Sequence, residues 1–264
     1  MVSVTTAQLY GWIADFLWPL FRLLALIGTA PLFGETTIPR QAKIGLAALI
    51  TVAVAPTIGD IPVVPVYSFD GFLIILNEIG IGIALGFSMR LVFTAVQYAG
   101  EIVGLQMGLS FASFYDRNSG GQTMVLARFL NVIAVLLFLA MDGHLLMLAT
   151  VVDSFSALPI SATPLSSSGW GAVARAGGTV FSSGVLLALP LIAALLTLNL
   201  VMGILNRASP QLSIFAVGFP VTLAGGMVLM MLVMPQMGSF MSHLLENALM
   251  GLTNILAQLQ PTGR

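Results

Sequence analysis

Long apolar runs, broken by prolines, glycines and isolated charges, organise this chain. The runs are continuous rather than strictly alternating. That pattern predicts helices, because a membrane-crossing strand needs polar and apolar residues at alternate positions. Six runs stand out: about Leu9–Phe33, broken by Pro19 and Pro31; Ile44–Ala55; Phe72–Tyr98, studded with glycine; Val125–Val152, with Asp142-Gly143-His144 inside it; Val180–Leu205; and Ile214–Met234. A last stretch, Met237–Leu259, mixes polar and apolar positions and reads as amphipathic. Crossing the hydrocarbon takes about 20 residues, so the second run is too short without its flanks. Six crossings are the starting count, with some elements open to being hairpins buried in protein.

Composition turns this pattern into a membrane assignment. Of 264 residues, 58% are hydrophobic and 7% charged, against about 25% charged in soluble domains. Such a chain cannot cover its surface with polar side chains, so its solvent is largely lipid or protein. Its 27 glycines and 13 prolines suit membrane helices, which tolerate both. A net charge of −1 speaks against nucleic acid as a partner. There is no cysteine, hence no disulfide. The first run lacks a basic leader and carries Asp15 and Arg22, so it reads as retained rather than cleaved. Arg40, Lys43 and Arg207 put the first and fifth connections in the cytoplasm, and Asp60 and Asp70 put the second outside. With no soluble module and no internal repeat, residues 1–264 read as a single domain.

Enzyme signatures are missing. His144 and His243 are too far apart in sequence for HExxH, and neither GxSxG nor GxxxxGK[ST] occurs. Gly59-Asp60 is a fragment of an intramembrane aspartyl protease motif, but it lies in a Pro-rich loop. The expectation is a protein that is not an enzyme, with no cofactor and no metal.

Charges inside the apolar runs carry more information. Asp15 and Arg22 are seven residues apart and share a helical face, as do Arg90, Thr94, Gln97 and Glu101, at spacings of four, three and four. A charge at mid-bilayer costs roughly 2.5–3.5 kcal/mol on insertion scales, so these side chains should face protein or water. They either line an aqueous path or form ion pairs between helices or subunits. Gly82/Gly86, Gly100/Gly104 and Gly104/Gly108 read GxxxG, the spacing of closely packed helices. Glu78 lies one turn before Gly82 and is a further buried-charge candidate.

Two segments depart from the pattern. Met107–Met124, MGLSFASFYDRNSGGQTM, clusters Phe111, Phe114 and Tyr115, then Asp116-Arg117-Asn118, then Gly120-Gly121. Its backbone would be unsatisfied in lipid. It is either a surface loop or a re-entrant plug lining a pore. The second is Leu189–Pro220, an apolar run that stops at Arg207, passes Ser209-Pro210-Gln211 and restarts. Arg207, Pro210 and Gln211 read as a structural corner, since Pro210 cannot continue a helix and Arg207 suits a helix C-terminus.

These motifs, in this order, resemble the FliR family, the export-gate subunits of flagellar and related type III secretion systems. The chain carries Arg22, Pro31-Leu32-Phe33-Gly34, Ile38-Pro39 and Lys43; Glu78 opening a Gly-rich segment; Gly104-Leu105-Gln106-Met107-Gly108 followed by Phe111 or Phe114 and Asp116; Gly143-His144; and Pro190, Asn199, Gly203, Arg207, Pro210-Gln211, Phe215 and Gly218-Phe219-Pro220. Arg117 stands where the family commonly has Pro. The resemblance implies an all-α, membrane-associated fold of kinked helical hairpins with about six apolar segments, a FliP-like part joined to a FliQ-like part. It implies a single copy completing a FliP/FliQ/FliR pore in the bacterial inner membrane, part of it raised to the periplasmic side, for export of unfolded flagellar proteins. FlhB-like and FlhA-like proteins are further implied partners, and the segment from Met107 through Phe111, Phe114, Tyr115, Asp116, Arg117, Gly120 and Gly121 would be the plug. The alternatives are a small-molecule secondary transporter, which should show two similar halves, and an injectisome rather than a flagellar gate.

Overall fold

The computed structural model describes residues 6–59, 61–109, 125–209 and 217–261. The regular secondary structure of the described residues is all helical, without strands. In chain order the α-helices are α1 (Thr6–Thr29), α2 (Arg40–Val54), α3 (Phe69–Gln106), α4 (Val125–Ala140), α5 (Gly143–Ala157), α6 (Ser167–Ala208), α7 (Phe219–Val233) and α8 (Met237–Leu259). Single 3-10 turns at Ala55–Thr57 and Met234–Gln236 continue α2 and join α7 to α8.

The sequence explains most of the breaks. Pro31 and Pro39 bracket the link between α1 and α2, with Leu32 at φ 67° and Pro39 capping α2 in an extended conformation. Gly34 packs so tightly there that a Cβ would sit 2.6 Å from the Ala30 carbonyl oxygen, which explains a glycine at that turn. Gly108, at φ 78°, closes α3: its N–H donates to Leu105 O, and Leu109 N–H donates to Gly104 O. That is the paired C-terminal bonding in which glycine accepts the left-handed backbone. Asp142, at φ 54°, separates α4 from α5.

Among the described residues, four stretches are long and apolar enough to cross a membrane: Gly11–Thr29, Phe69–Gln106, Ser167–Ala208 and Phe219–Leu259. The broken pair α4/α5 would make five. The sequence pattern suggested six. The difference has two sources: α2 has only 15 residues, and the fourth run is interrupted at Asp142. At 38 and 42 residues, α3 and α6 run to about 57 and 63 Å, against about 30 Å of hydrocarbon. Neither fits upright within the apolar layer alone.

The chain forms two compact units, Met1–Leu91 with Asp142–Gly177 and Glu246–Arg264, and Val92–Met141 with Gly178–Leu245. In the first, Trp18 of α1 centres a core with Ala14, Val54, Ile74, Phe155 and Ile160. In the second, Leu126, Leu130, Ala134 and Phe138 bury one face of α4, and Phe138 meets Phe93 edge to face at 5.3 Å.

Candidate functional site

The most polar point of the first unit lies at its centre. Arg22 is fully buried on α1 and Glu78 is 1% exposed on α3. Arg22 Nε donates to Glu78 Oε2 at 2.7 Å and Nη2 donates to Oε1 at 2.9 Å. This side-on, two-point geometry is the strong form of an arginine–carboxylate pair. Arg22 Nη1 also donates to Ser154 Oγ at 3.0 Å, and Nη2 to the Leu158 carbonyl at 2.9 Å. The Phe155 ring lies 4.0 Å from the guanidinium carbon, within cation–π range. Ser154 in turn donates to Val151 O at 2.6 Å.

Small residues bring the two helices close enough for this pair. A Cβ on Gly82 would strike the Arg22 carbonyl oxygen and Ala25, and one on Gly86 would strike Thr29 Oγ1. The GxxxG spacing and the ion pair therefore belong to one contact between α1 and α3. Asn77, next to Glu78, fastens the link between α5 and α6 by donating to Ser161 O at 3.0 Å and Thr163 O at 2.8 Å. The C-terminal end of α8 and the residue after it hold the same link at its two ends: Ser166 N–H donates to Leu259 O, and Gln260 Nε2 donates to Ala157 O. This is a fastening site. A guanidinium so enclosed has no face left for a substrate. Among the described residues no cluster of three or more potential metal ligands forms.

The other sequence candidates fall as follows. Asp15 is exposed, although it shares the α1 face of buried Arg22. Arg22 takes Glu78 as its partner instead. Along α3, Arg90 is exposed, while Gln97 and Glu101 are half-buried. Met107 is buried, its side chain filling the place of a Cβ on Gly226 of α7. Phe111, Phe114, Tyr115, Asp116, Arg117, Gly120 and Gly121 lie outside the described residues, as do Pro210 and Gln211. Arg207 occupies the last turn of α6, exposed. Sequence reasoning missed Asn77, Ser154, Phe155 and the Leu158 carbonyl. Asn77 had a signal, a second polar residue beside Glu78 in an apolar run. Ser154 and Phe155 had none, since serine and phenylalanine are ordinary in such helices.

Comparison with known proteins gives a collinear match. Residues 13–248 match the family described as bacterial export proteins, family 1. The flagellar biosynthetic protein FliR of Pectobacterium carotovorum subsp. carotovorum is 48% identical over 259 residues, covering 98% of this chain and 99% of that protein. The Escherichia coli K12 protein of the same name has the same identity and coverage. The Bacillus subtilis 168 protein is 28% identical over 245 residues, 92% of this chain and 94% of its own.

Proposed function

The chain belongs to the FliR family of bacterial export proteins, and from that premise we propose that it is a core subunit of the flagellar type III protein export gate. In this reading one copy, a single FliR-like domain over residues 1–264, joins FliP-like and FliQ-like subunits to complete a pore for unfolded flagellar proteins. FlhB-like and FlhA-like proteins lie alongside. It works without catalysis. Its fold corresponds to a FliP-like part followed by a FliQ-like part. The observation that carries this reading is the match at 48% identity across 98% of the chain to flagellar biosynthetic proteins.

In the same reading the chain sits in the inner membrane with part of it raised toward the periplasm; that α3 and α6 outrun the hydrocarbon fits a part standing outside the bilayer. The exposed apolar side chains of α6 and α7, such as Leu200, Ile204, Met231 and Leu232, need lipid or neighbouring subunits to cover them. The segment from Phe111 to Gly121 is the plug, its aromatics excluding water and its glycines giving freedom to open. Arg207, Pro210 and Gln211 form a corner that serves assembly, and Asp15, Arg90, Gln97 and Glu101 face neighbouring protein or water.

Complementation tests the reading. In a flagellated strain deleted for its own FliR relative, the chain should restore swimming and co-purify with FliP-like and FliQ-like subunits. Normal levels of the chain with no filament and no co-purification would overturn it. Deleting Phe111–Gly121 from assembled complexes should raise ion conductance; complexes as tight as the parent would remove the plug assignment.

A further inference from the structure

The first unit contains a cavity of about 340 Å³ between the end of α2, the end of α5 and the loop that follows α5. Its walls are apolar where Ile58, Phe155 and Ile160 line it, and Thr57, Asp153 and Ser156 add polar groups. Three features give it a negative character. Asp153 is exposed, and among the described residues its carboxylate has neither a hydrogen-bond nor an ion-pair partner. The cavity lies at the C-terminal end of α5, and the 3-10 turn that extends α2 ends there too. Helix C-termini present unsatisfied carbonyls and favour cations. Pro159, also in the wall, has no N–H, so the Phe155 carbonyl lacks the donor a continuing helix would provide.

Among the described residues, no lysine or arginine of this unit supplies the matching charge. Arg22 is committed to Glu78, Lys43 donates to Glu35 O, Arg175 donates to Gln258, and Arg90 is already engaged. Arg40 stands at the opposite end of α2.

We propose that this cavity is a docking socket for a lysine or arginine of a neighbouring subunit, its charged head on Asp153 and its aliphatic stem, with an adjacent apolar residue, against Phe155 and Ile160. A cavity of this size holds one large side chain and part of a second. An apolar wall with a carboxylate at its edge suits a long basic side chain, whose stem buries while its head pairs. A dedicated metal site would need several oxygen ligands, and among the described residues Asp153 is the one carboxylate in the wall. The socket rests on the multi-subunit reading above and adds a specific contact to it.

The experiment uses the full chain in the assembled complex. A photo-crosslinking amino acid at Ser156, in an otherwise parental chain, should capture a protein subunit at a peptide carrying a basic residue beside an apolar one. Asp153→Lys should lower that crosslink and the yield of co-purified partners about tenfold or more, as expected when a close charge pair becomes a repulsion. Asp153→Asn should do so less. Reversing the captured base to Glu should restore assembly of Asp153→Lys. Crosslinks to lipid alone or to no partner, or an Asp153→Lys chain that assembles as the parent does, would overturn the socket. Failure of the parental chain itself to restore swimming would instead overturn the export-gate reading.

Discussion

The two units differ in what holds each of them together internally. The first is fastened by polar groups: the Arg22–Glu78 pair, the Ser154 and Leu158 bonds to Arg22, and the Asn77 bridge to Ser161 and Thr163. The second relies on close apolar approach. Gly100 lies under the Ala127 backbone, Gly184 under Ala95 and Tyr98, and Gly226 under Met107, while Phe181 packs edge to face on Tyr98 at 5.2 Å. In an apolar solvent, burying apolar surface gives little drive. What remains is van der Waals fit and hydrogen bonding. The first unit adds a buried polar network to its close Gly82/Gly86 approach, whereas the buried contacts described for the second are mainly close packing. Polar fastening fails abruptly when one partner is lost. Packing degrades in proportion to the misfit.

The largest expected effect tests the polar half. Arg22→Met or Glu78→Leu alone strands a buried charge and should cost about 3–5 kcal/mol, whereas the double replacement, which removes both charges, should recover much of it. Thermal unfolding of the purified chain or complex in detergent reads this directly. Single variants as stable as the parent would show that the pair does not fasten the first unit. In the second unit, Gly100→Ala puts a Cβ 2.6 Å from Ala127 Cα and 2.9 Å from its nitrogen. Backbone cannot step aside as a side chain can, so overpacking should cost about 1–3 kcal/mol. A loss as abrupt as that of Arg22→Met would erase the contrast between the units.

Smaller and more discriminating is Asn77. Asn77→Ala removes two donors from the Ser161 and Thr163 carbonyls, which water can partly replace, and should cost about 0.5–1.5 kcal/mol. Asn77→Asp should be worse at neutral pH, because it turns a carboxylate toward two carbonyl oxygens. Aspartate tolerated as well as alanine would mean that the amide's donors do little for the link after α5.

These cases mark what was legible in the sequence. The helical, membrane-associated class was legible because continuous apolar runs and scarce charge permit little else. The Gly82/Gly86 approach was legible as a spacing, though not its partner helix. Arg22 and Glu78 were each readable as costly charges, but their pairing joins residues 56 apart in sequence, and no local pattern encodes that distance. Asp15, on the same face as Arg22 by period, turns out exposed. A shared face says which way a side chain points only once the neighbouring helices are known. The crossing count shifted for a related reason: hydropathy does not register that Asp142 takes a left-handed backbone and breaks its run.

The smallest expected effect reaches outward from the second unit. Gly203 lies in α6, exposed, with no atom within 4 Å of where a Cβ would stand. In the chain by itself Gly203→Ala should therefore stabilise the helix by about 0.5–1 kcal/mol, since glycine gives up more freedom than alanine on folding. Measured on the isolated chain, a rise in unfolding temperature is the expected result. The same variant in the assembled complex tests something else. Unchanged assembly leaves close glycine packing as an internal feature of the second unit. Reduced assembly from a variant that is more stable alone has one physical meaning, that a neighbour's backbone approaches α6 at Gly203. The apolar mode of fastening would then extend across a subunit boundary, matching the charge-based socket argued for the first unit.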